Sequence, residues 1–392
     1  MGAAGGGTGR DPALNNAGTG DNRENLVHSP QSIQENVMTA RSVTLDDVAR
    51  LAGVSYQTVS RVLNHSSQVS ARTRARVEAA MAELSYVPNR VAQQLAGKAT
   101  RTLGLATSDL ALMAPAQIAS AIQQRAAAGG YHLVIAMANA QSAAQDTVNE
   151  LLAQRVDALL INLPLDAGQA AQIQQQCGSK PALFLDVETC APVPQCQYQS
   201  SCGAQQAVDH LVALGHREIG VLNGPARSAS ARARFSDWQR ALAHHQLQPY
   251  CVLDGDWSAA SGYQALLTLL PDRLPQALLV ANDQMALGAM RALHQHGVAI
   301  PADISLIGYD DTAESAWYQP PLTTVRQDLQ QLGRISVERI LAQLAGQTLR
   351  ALPLETELVL RETTAAPQRN GVDTGEIARQ LQALAQALKR SP

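Results

Sequence analysis

The sequence predicts an α/β core of two doubly wound parallel-sheet lobes, preceded by an all-α helix-turn-helix headpiece and followed by a C-terminal oligomerisation helix. Three observations predict this class. Three short helical segments lie between residues 44 and 84, apolar strands then alternate with helical segments over about 260 residues, and a leucine-rich helical run ends the chain. A chain of 392 residues is too long for one compact core, so several domains are expected.

Composition and periodicity set the expected boundaries. The first 37 residues are rich in Gly, Ala, Asn and Ser and lack apolar periodicity, which is typical of a disordered extension. The expected segments are this extension (1–37), a helical headpiece (38–86), a short helical linker (87–100), a two-lobe core (101–365), a second linker (366–374) and a terminal helix (375–392).

The charge is unevenly distributed along the chain. The net charge is −3, but residues 38–101 carry nine Lys or Arg against four Asp or Glu, whereas residues 102–392 carry a net −6. A short basic module before a long acidic body is the pattern expected when only the module contacts phosphates.

Several classes are not supported. The longest apolar stretch, ALLVANDQMALGAM, is interrupted by Asp283, and no basic segment followed by an apolar one begins the chain, so we expect a cytoplasmic protein. No P-loop, GxSxG or HExxH motif occurs, so we expect neither an enzyme nor a cofactor. No CxxC spacing occurs, so no metal is expected either, although Cys190, Cys196 and Cys202 recur at every sixth position.

The headpiece consists of three predicted helices. Thr44 precedes LDDVARLA as an N-cap, and Gly53 ends that helix. Ser55 caps a second helix from Tyr56, and Ser70 caps a third.

The stretch SYQTVSRVLN has two unlike faces. If its valines face the first helix, then Gln57, Ser60, Arg61 and Asn64 share the opposite face. Gln can bond adenine and Arg can bond guanine in a bidentate manner, so this is the expected reading helix of a helix-turn-helix motif. The alternative is an ordinary polar face of a small helical bundle.

The next run, YVPNRVAQQLAGK, predicts a helix of about eight residues, which is marginal alone. We expect two copies to fold against each other on DNA, with Leu95 of each inserted in the minor groove. The alternative is a plain linker with Leu95 packed on the core. Near the C-terminus, Ile377, Leu381, Leu384 and Leu388 have a coiled-coil spacing, which predicts a tetramerisation bundle or a helix folded back on its own core.

Polar residues follow the core strands where each strand ends. Because ligands of such sheets bind outside the carboxyl ends of the strands, these residues predict a site for a neutral polyhydroxylated ligand. They are Ser108, Asn162, Asp186, Asn282, Asp283, Asp310 and Asp311, with Arg234 and the ring of Trp257 added. Each has an ordinary alternative, namely a helix cap, a surface charge or core packing, and we expect Asp283 to be a cap. A glycosidase with Asp186 and Asp310 as acid and base is the enzymatic alternative.

These stretches together resemble one family. VTLDDVARLAGVSYQTVSRVLN, NRVAQQLAGK, LLAQRVDALLIN, GDWSAASG, VANDQMALGAM and GYDDT are similar to the lactose/galactose repressor (LacI/GalR) family of bacterial transcriptional regulators, from about Val43 to Thr364. The resemblance implies periplasmic-binding-protein-like lobes. Gln68, Tyr198 and Cys202 depart from the family pattern.

The resemblance also implies two sets of site residues. The DNA-binding set is Leu45, Ser55, Tyr56, Gln57, Thr58, Ser60, Arg61, Asn64, Ser70, Thr73, Tyr86, Asn89, Gln93, Leu95 and Ala96. The ligand-binding set is Ser108, Leu112, Pro115, Ile118, Asn162, Asp186, Tyr198, Ser230, Arg234, Trp257, Asn282, Asp310, Gln327 and Leu332.

The implied function is repression of a sugar operon, most simply a lactose or β-galactoside operon, with release from operator DNA when a galactoside inducer binds between the lobes. The expected partners are double-stranded operator DNA, the sugar inducer, and further copies of the chain in a homodimer that assembles to a homotetramer. A family repressor that responds to another sugar or to a purine is the alternative, as is a sugar-binding protein without a regulatory role.

Overall fold

A computed structural model describes residues 43–63, 68–87, 100–138, 143–270, 274–347 and 354–367. The chain divides into two compact units, Met1–Pro88 and Asn89–Pro392. Within the described residues, no helix combines the length and the apolar character that crossing a bilayer requires.

The first unit contains a three-helix headpiece: α1 (Leu45–Ala52), α2 (Tyr56–Leu63) and α3 (Ala71–Glu83). Thr44 and Asp47 form the expected capping box at the start of α1, and Gly53 ends it in the left-handed conformation at φ 59°. Each helix contributes one fully buried valine, Val48, Val59 or Val77, to the same small apolar core. The spacing of these valines therefore fixes which face of α2 stays outside.

The second unit begins with an N-terminal lobe. Its strands β1 (Thr102–Thr107), β2 (His132–Met137), β3 (Ala158–Asn162) and β4 (Ala182–Phe184) form a parallel sheet in the order β2-β1-β3-β4. Helices α4 (Met113–Ala128), α5 (Ala144–Ala153) and α6 (Ala167–Cys177) connect them. Apolar clusters cover both faces of the sheet, as a doubly wound sheet requires.

The chain then crosses between the lobes. Strand β5 (Tyr198–Gln199) leads out of the N-terminal lobe and pairs in parallel with β11 (Leu354–Glu355), on a later crossing. Helix α7 (Ser201–Ala213) follows β5 and belongs to the C-terminal lobe.

The C-terminal lobe is built around a six-stranded sheet in the order β12-β10-β9-β8-β6-β7, in which β12 alone runs antiparallel. These strands are β6 (Ile219–Asn223), β7 (Val252–Asp254), β8 (Ala277–Val280), β9 (Ser305–Asp310), β10 (Thr323–Arg326) and β12 (Glu357–Val359). Helices α8 (Ala229–His244), α9 (Ala259–Leu269) and α10 (Asp283–Gln295) also belong to this lobe. Helix α11 (Leu329–Leu344) returns to the N-terminal lobe, where it packs on α4 and buries Leu332, Val337 and Ile340 in the apolar core.

Seven apolar runs of the sequence predict strands, namely LGLATS, HLVIAMA, ALLINLP, ALFLDV, IGVLNGP, ALLVAND and SLIGYDD. They coincide with β1–β4, β6, β8 and β9. The others, β5, β7 and β10–β12, are two to four residues long and were not expected. β7 and β12 lie at sheet edges and β5 and β11 at the crossings, while β10 lies between β9 and β12. In strands this short, pairing depends on distant segments and leaves little local periodicity.

Helices α9 and α10 approach unusually closely at glycine. A Cβ atom at Gly288 would lie 1.8 Å from the carbonyl oxygen of Ala259, and one at Gly262 would lie 2.1 Å from that of Met285. Close backbone packing here sets the position of α10, and the N-terminus of α10 brings Asn282 and Gln284 to the cavity described below.

We expect Gly288→Ala to destabilise the core. In an isolated helix, this change stabilises by about 1 kcal/mol, but here the new methyl group meets backbone, so a net loss of about 1–3 kcal/mol is expected. Chemical denaturation measures it. Gly168→Ala in α6 is the control, since the nearest atom to its Cβ is an Asp166 carboxylate oxygen at 3.3 Å. Equal stabilities of the two variants would contradict the close packing.

Candidate functional site: an interlobe cavity and a headpiece surface

A cavity of about 1050 Å³ lies between the two lobes of the core. All fourteen residues of the expected ligand-binding set line it, although they come from positions 108 to 332 of the chain. Both lobes contribute because the carboxyl ends of β1, β3, β6, β8 and β9 face the same cleft. The wall has a polar part and an apolar part.

The centre of the polar part is a buried guanidinium. Arg234 on α8 is only 7% exposed, which excludes the alternative that it is a surface charge. Its Nη1 donates to the carbonyl oxygen of Ala281, and its Nη2 donates to Asp310 Oδ1 at 3.3 Å. Its guanidinium carbon lies 4.0 Å from the ring centre of Tyr309 and 5.4 Å from that of Trp257. These contacts compensate a buried charge from four directions.

Asp310 is the partner of that charge. It is 4% exposed, and its Oδ1 also accepts a hydrogen bond from Gln327 Nε2 at 2.7 Å. Burial raises the pKa of the Asp310 carboxyl, and the charge of Arg234 opposes that rise. Charged donors and acceptors held this rigidly are suited to bonding several hydroxyl groups of one ligand at once.

The backbone at this point adopts an uncommon conformation. Asp310 has φ 111° and Asp311 has φ 55°, both in the left-handed region that side chains disfavour. Asp311 is fixed by Arg361 at 2.5 Å and by Arg326 at 2.7 Å. Two ion pairs therefore hold the residue that follows Asp310 in this uncommon conformation.

The N-cap of α10 is not the residue that the sequence predicts. We expected Asp283 to cap the helix, and this is wrong: Asn282 Oδ1 accepts from Met285 N at 2.9 Å and is the N-cap of α10. Asp283 is fully buried, and its carboxylate accepts from Thr312 N, Ser315 Oγ and Thr324 Oγ1, at 3.0, 2.6 and 2.6 Å. Asn282 and Asp283 both follow β8, so the local sequence does not show which of them caps the helix. The difference comes from the distant hydrogen-bond partners of Asp283.

The N-terminal lobe contributes a second carboxylate. Asp186 Oδ1 accepts from Ser230 Oγ of the C-terminal lobe at 2.9 Å, so this bond crosses the cleft. Burial raises the pKa of Asp186, whereas the Ser230 hydrogen bond and the charge of Arg234 lower it. Asn162, at the end of β3, donates to Thr107 Oγ1 at 3.4 Å.

The apolar wall consists of Leu112, Pro115, Ile118 and Leu332, with two aromatic rings. Trp257 packs so closely on Gly224 that a Cβ there would lie 2.3 Å from the indole. The hydroxyl of Tyr198 donates to the carbonyl oxygen of Asp328 at 2.9 Å, so its hydrogen bond is satisfied within the protein. An indole and aliphatic side chains opposite a carboxylate and a guanidinium suit a ring with one apolar and one hydroxylated face.

Sequence reasoning missed four contributors to the site. Tyr309 stacks under Arg234, Gln284 Oε1 accepts from Met113 N at 2.8 Å across the cleft, and Arg232 meets Glu188 at the cavity rim. Tyr309 directly precedes Asp310 in a buried strand, and its position beside a predicted site residue could have identified it from the sequence. The others depend on pairing between lobes, which leaves no local pattern.

The described cysteines are all free thiols. Cys190 and Cys196 line the cavity, the first exposed and the second buried. Cys202 lies in the first turn of α7 and accepts a hydrogen bond from Gln206 Nε2 at 3.4 Å. Among the described residues, no group of three His, Cys, Asp or Glu is arranged to hold a metal ion.

The headpiece presents one polar surface along α2. Tyr56, Gln57 and Arg61 are exposed, while Val59 and Val62 are buried on the opposite side. Ser55 and Ser70 cap α2 and α3 and bond the hydroxyls of Thr58 and Thr73, each at 2.9 Å. Ser60 is partly buried.

Two other members of the DNA-binding set, Leu45 and Tyr86, pack partly against the headpiece core. The members Asn64, Asn89, Gln93, Leu95 and Ala96 lie outside the described residues, as do the extension 1–37 and the helix 375–392.

We expect Asp283 to make core stability depend on pH. Burial, and then the negative charge of Asp310, raise the pKa of Asp283 from 3.8 to about 7. Because the folded state then binds the extra proton, the stabilising contribution is present at low pH and is lost as the pH rises from about 4 to about 7. Asp283→Asn removes this titration, so the difference in unfolding free energy between variant and wild type should change with pH inside that window and be constant above it. A difference that is constant across the window would contradict the raised pKa.

Comparison with known proteins gives matches for both units. The model of the bacterial regulatory proteins, lacI family, matches residues 44–89, and that of a periplasmic binding protein-like domain matches residues 208–364. The lactose operon repressor of Escherichia coli (strain K12) is 49% identical over 354 residues, which cover 89% of this chain and 98% of that protein. The lactose operon repressor of Klebsiella pneumoniae is 43% identical over 90% of this chain and 100% of its own length.

Solved structures agree. A lac repressor dimer bound to operator and the anti-inducer ONPF has a TM-score of 0.79 at 51% identity, covering 83% of this chain and 100% of that one. The complex of the transcriptional regulator CelR with cellobiose has a TM-score of 0.60 at 31% identity, covering 82% and 99%. Identity of this extent over almost the whole length shows that the chain belongs to the lacI family of bacterial regulatory proteins.

Proposed function

We propose that this protein is a sequence-specific transcriptional repressor of a lactose or β-galactoside operon, released from its operator by a galactoside-type inducer. One observation carries the proposal: a single chain joins an exposed α2 surface of hydrogen-bonding side chains to an interlobe cavity centred on Arg234 and Asp310. The similar proteins named as lactose operon repressors support it. Both were named for regulation, not catalysis, and the proposal is likewise a non-enzymatic role in the cytoplasm, on the nucleoid.

On the DNA side, α2 would enter the major groove. The exposed Gln57 and Arg61 would bond base edges, Tyr56 would add a phenol, and the capped N-terminus at Ser55 would direct amides to a phosphate. Two headpieces in a homodimer would read a near-palindromic operator, since the symmetry of the subunits is mirrored in the half-sites.

On the ligand side, Arg234, Asp310 and Asn282 would bond sugar hydroxyls while Trp257 covers the apolar face of the ring. Two of the five guanidinium donors of Arg234 bond Ala281 and Asp310, and the fixed fork then sets the position of the hydroxyls it can reach. Asp186 and Ser230 would meet a further hydroxyl, because their hydrogen bond lies on the cavity wall.

The two sides would be coupled through lobe arrangement. A sugar that favours one arrangement shifts it only by its differential affinity, and operator must then weaken sugar binding by the same factor. We propose that the hinge 87–100 transmits this change and that residues 375–392 join two dimers into a tetramer. Both segments lie outside the described residues.

The deciding experiment selects an operator from a random duplex library and measures release from it by galactosides, glucosides and purines at one fixed salt concentration. Release by galactosides alone is expected. Release by a purine would contradict the proposed ligand class and keep the repressor, whereas selection of no sequence would contradict the repressor itself.

We expect Arg61→Ala to weaken binding to the selected operator by about 10- to 100-fold, because a bidentate base contact is lost. Arg50→Ala in α1 is the matched control: it removes one equal charge from the headpiece, and Arg50 is 76% exposed and paired only with Asp47. The two variants should bind random-sequence duplex equally. Equal losses on the operator would mean that Arg61 contributes charge alone.

We expect Arg234→Lys to weaken galactoside binding by at least about 100-fold, because a point charge cannot replace a planar fork held between two rings. Operator binding should stay within about twofold, since the headpiece is a separate compact unit. Calorimetric titration measures the first and gel retardation the second. Arg217→Lys, at an exposed arginine of the same lobe, is the control. A similar loss of galactoside affinity in that variant would contradict the role of Arg234 in ligand binding.

A further inference from the structure

An ion pair joins the two lobes at the rim of the cavity. Arg232 Nη2, on α8 of the C-terminal lobe, donates to Glu188 Oε1, after β4 of the N-terminal lobe, at 2.7 Å. Both side chains line the cavity and stay 40% and 33% exposed, so they lie on its solvent-facing side. We propose that Arg232 and Glu188 form an interlobe clasp that stabilises the lobe arrangement seen here and thereby slows the departure of a bound ligand.

Each end of the clasp is fixed by its own lobe. Arg232 Nη1 donates to the carbonyl oxygen of Ala226 at 3.0 Å. Glu188 Oε2 accepts from the backbone N–H of Ala167, the first residue of α6, at 3.0 Å, so the carboxylate also lies at a helix N-terminus, which favours negative charge. Each side chain is already fixed by a hydrogen bond within its own lobe. Forming the ion pair therefore costs less side-chain entropy than in most partly exposed pairs, whose net contribution to stability is small.

The clasp differs from the other bonds across the cleft. Ser230 and Asp186 are ligand-binding candidates, so a ligand competes for their hydrogen bond. Arg232 and Glu188 have protein partners on both sides and are separate from the Arg234–Asp310 centre. The clasp can therefore stay formed with the ligand bound, and opening the cleft must break it.

Its strength should depend on salt. Coulomb attraction between partly exposed groups is screened by salt, so the clasp contributes most at low ionic strength. Because the bond connects two rigid lobes, its loss should appear in the dissociation rate of a ligand more than in the association rate. The identity of that ligand rests on the proposed function, whereas the clasp itself does not.

The test uses the full chain and the variants Glu188→Gln, Arg232→Gln and the double variant. Spin labels on non-natural residues at exposed positions 172 and 227, one in each lobe, report lobe separation without any ligand. Stopped-flow measurement with ONPG as the probe gives the dissociation rate. Glu357→Gln is the control for loss of one carboxylate, since Glu357 is 62% exposed and pairs with Arg326 at 2.8 Å inside the C-terminal lobe, away from the lobe–lobe contact.

Each single variant should shift the labels to longer distances and raise the ONPG dissociation rate about three- to fivefold at low salt. The double variant should match the single ones, because the interaction is already lost, and the differences should shrink in about 0.5 M salt, where the Debye length is only a few Å. Glu357→Gln should behave as wild type.

Unchanged distances in all variants, or effects that simply multiply in the double variant, would overturn the clasp. The outcome also separates the two proposals. Labels that respond to Glu188→Gln in a chain that binds neither operator nor ONPG would contradict the proposed function and keep the clasp. Binding of both operator and ONPG, with labels that never respond to the variants, would contradict the clasp alone.

Discussion

The compensation of one buried positive charge constrains the cavity more than any other interaction. A guanidinium removed from water is tolerated only when other groups replace its hydration, and removing one partner leaves the rest uncompensated. Arg234 takes its partners from the ends of β8 and β9 and from the loop before α9. The register of the C-terminal sheet, the turn after β9 and the seat of the indole are therefore coupled to one side chain.

Neighbouring residues of the cavity wall also combine structural contacts with a position facing the cavity. Asn282 ends a strand, caps a helix and lines the cavity, and its amide also donates to the carbonyl oxygen of Trp257 at 2.9 Å. Asp283, one residue later, fixes the loop after β9 through Thr312 and Ser315. Groups that maintain the fold and groups that face a ligand are thus neighbours in the chain, and a ligand contacts a wall that is already rigid.

Local features of the sequence predict much of this. The capping box at Thr44, the left-handed Gly53 and the valine spacing of α2 act over a few residues, and each is present. Polar residues at strand ends predict the cavity wall, because parallel strands bring their carboxyl ends to one edge. The rest depends on contacts between distant segments. Asp283 accepts a hydrogen bond from the hydroxyl of Thr324, 41 residues away, and Glu188 forms an ion pair with Arg232, 44 residues away. Such pairs leave no periodicity, so Asp283 could be mistaken for a cap and Arg232 for a surface charge.

The three tryptophans lie in three different surroundings. Trp238 is 1% exposed in the core of the C-terminal lobe, Trp317 is 86% exposed, and Trp257 stands on the cavity wall within reach of a cation. An indole in an apolar interior emits at shorter wavelength than one in water, so the first two give fixed blue and red limits of the emission spectrum. Because Trp257 stands on the cavity wall, its emission should fall between these limits and shift when a ligand enters the cleft, so the chain should carry its own optical reporter of occupancy.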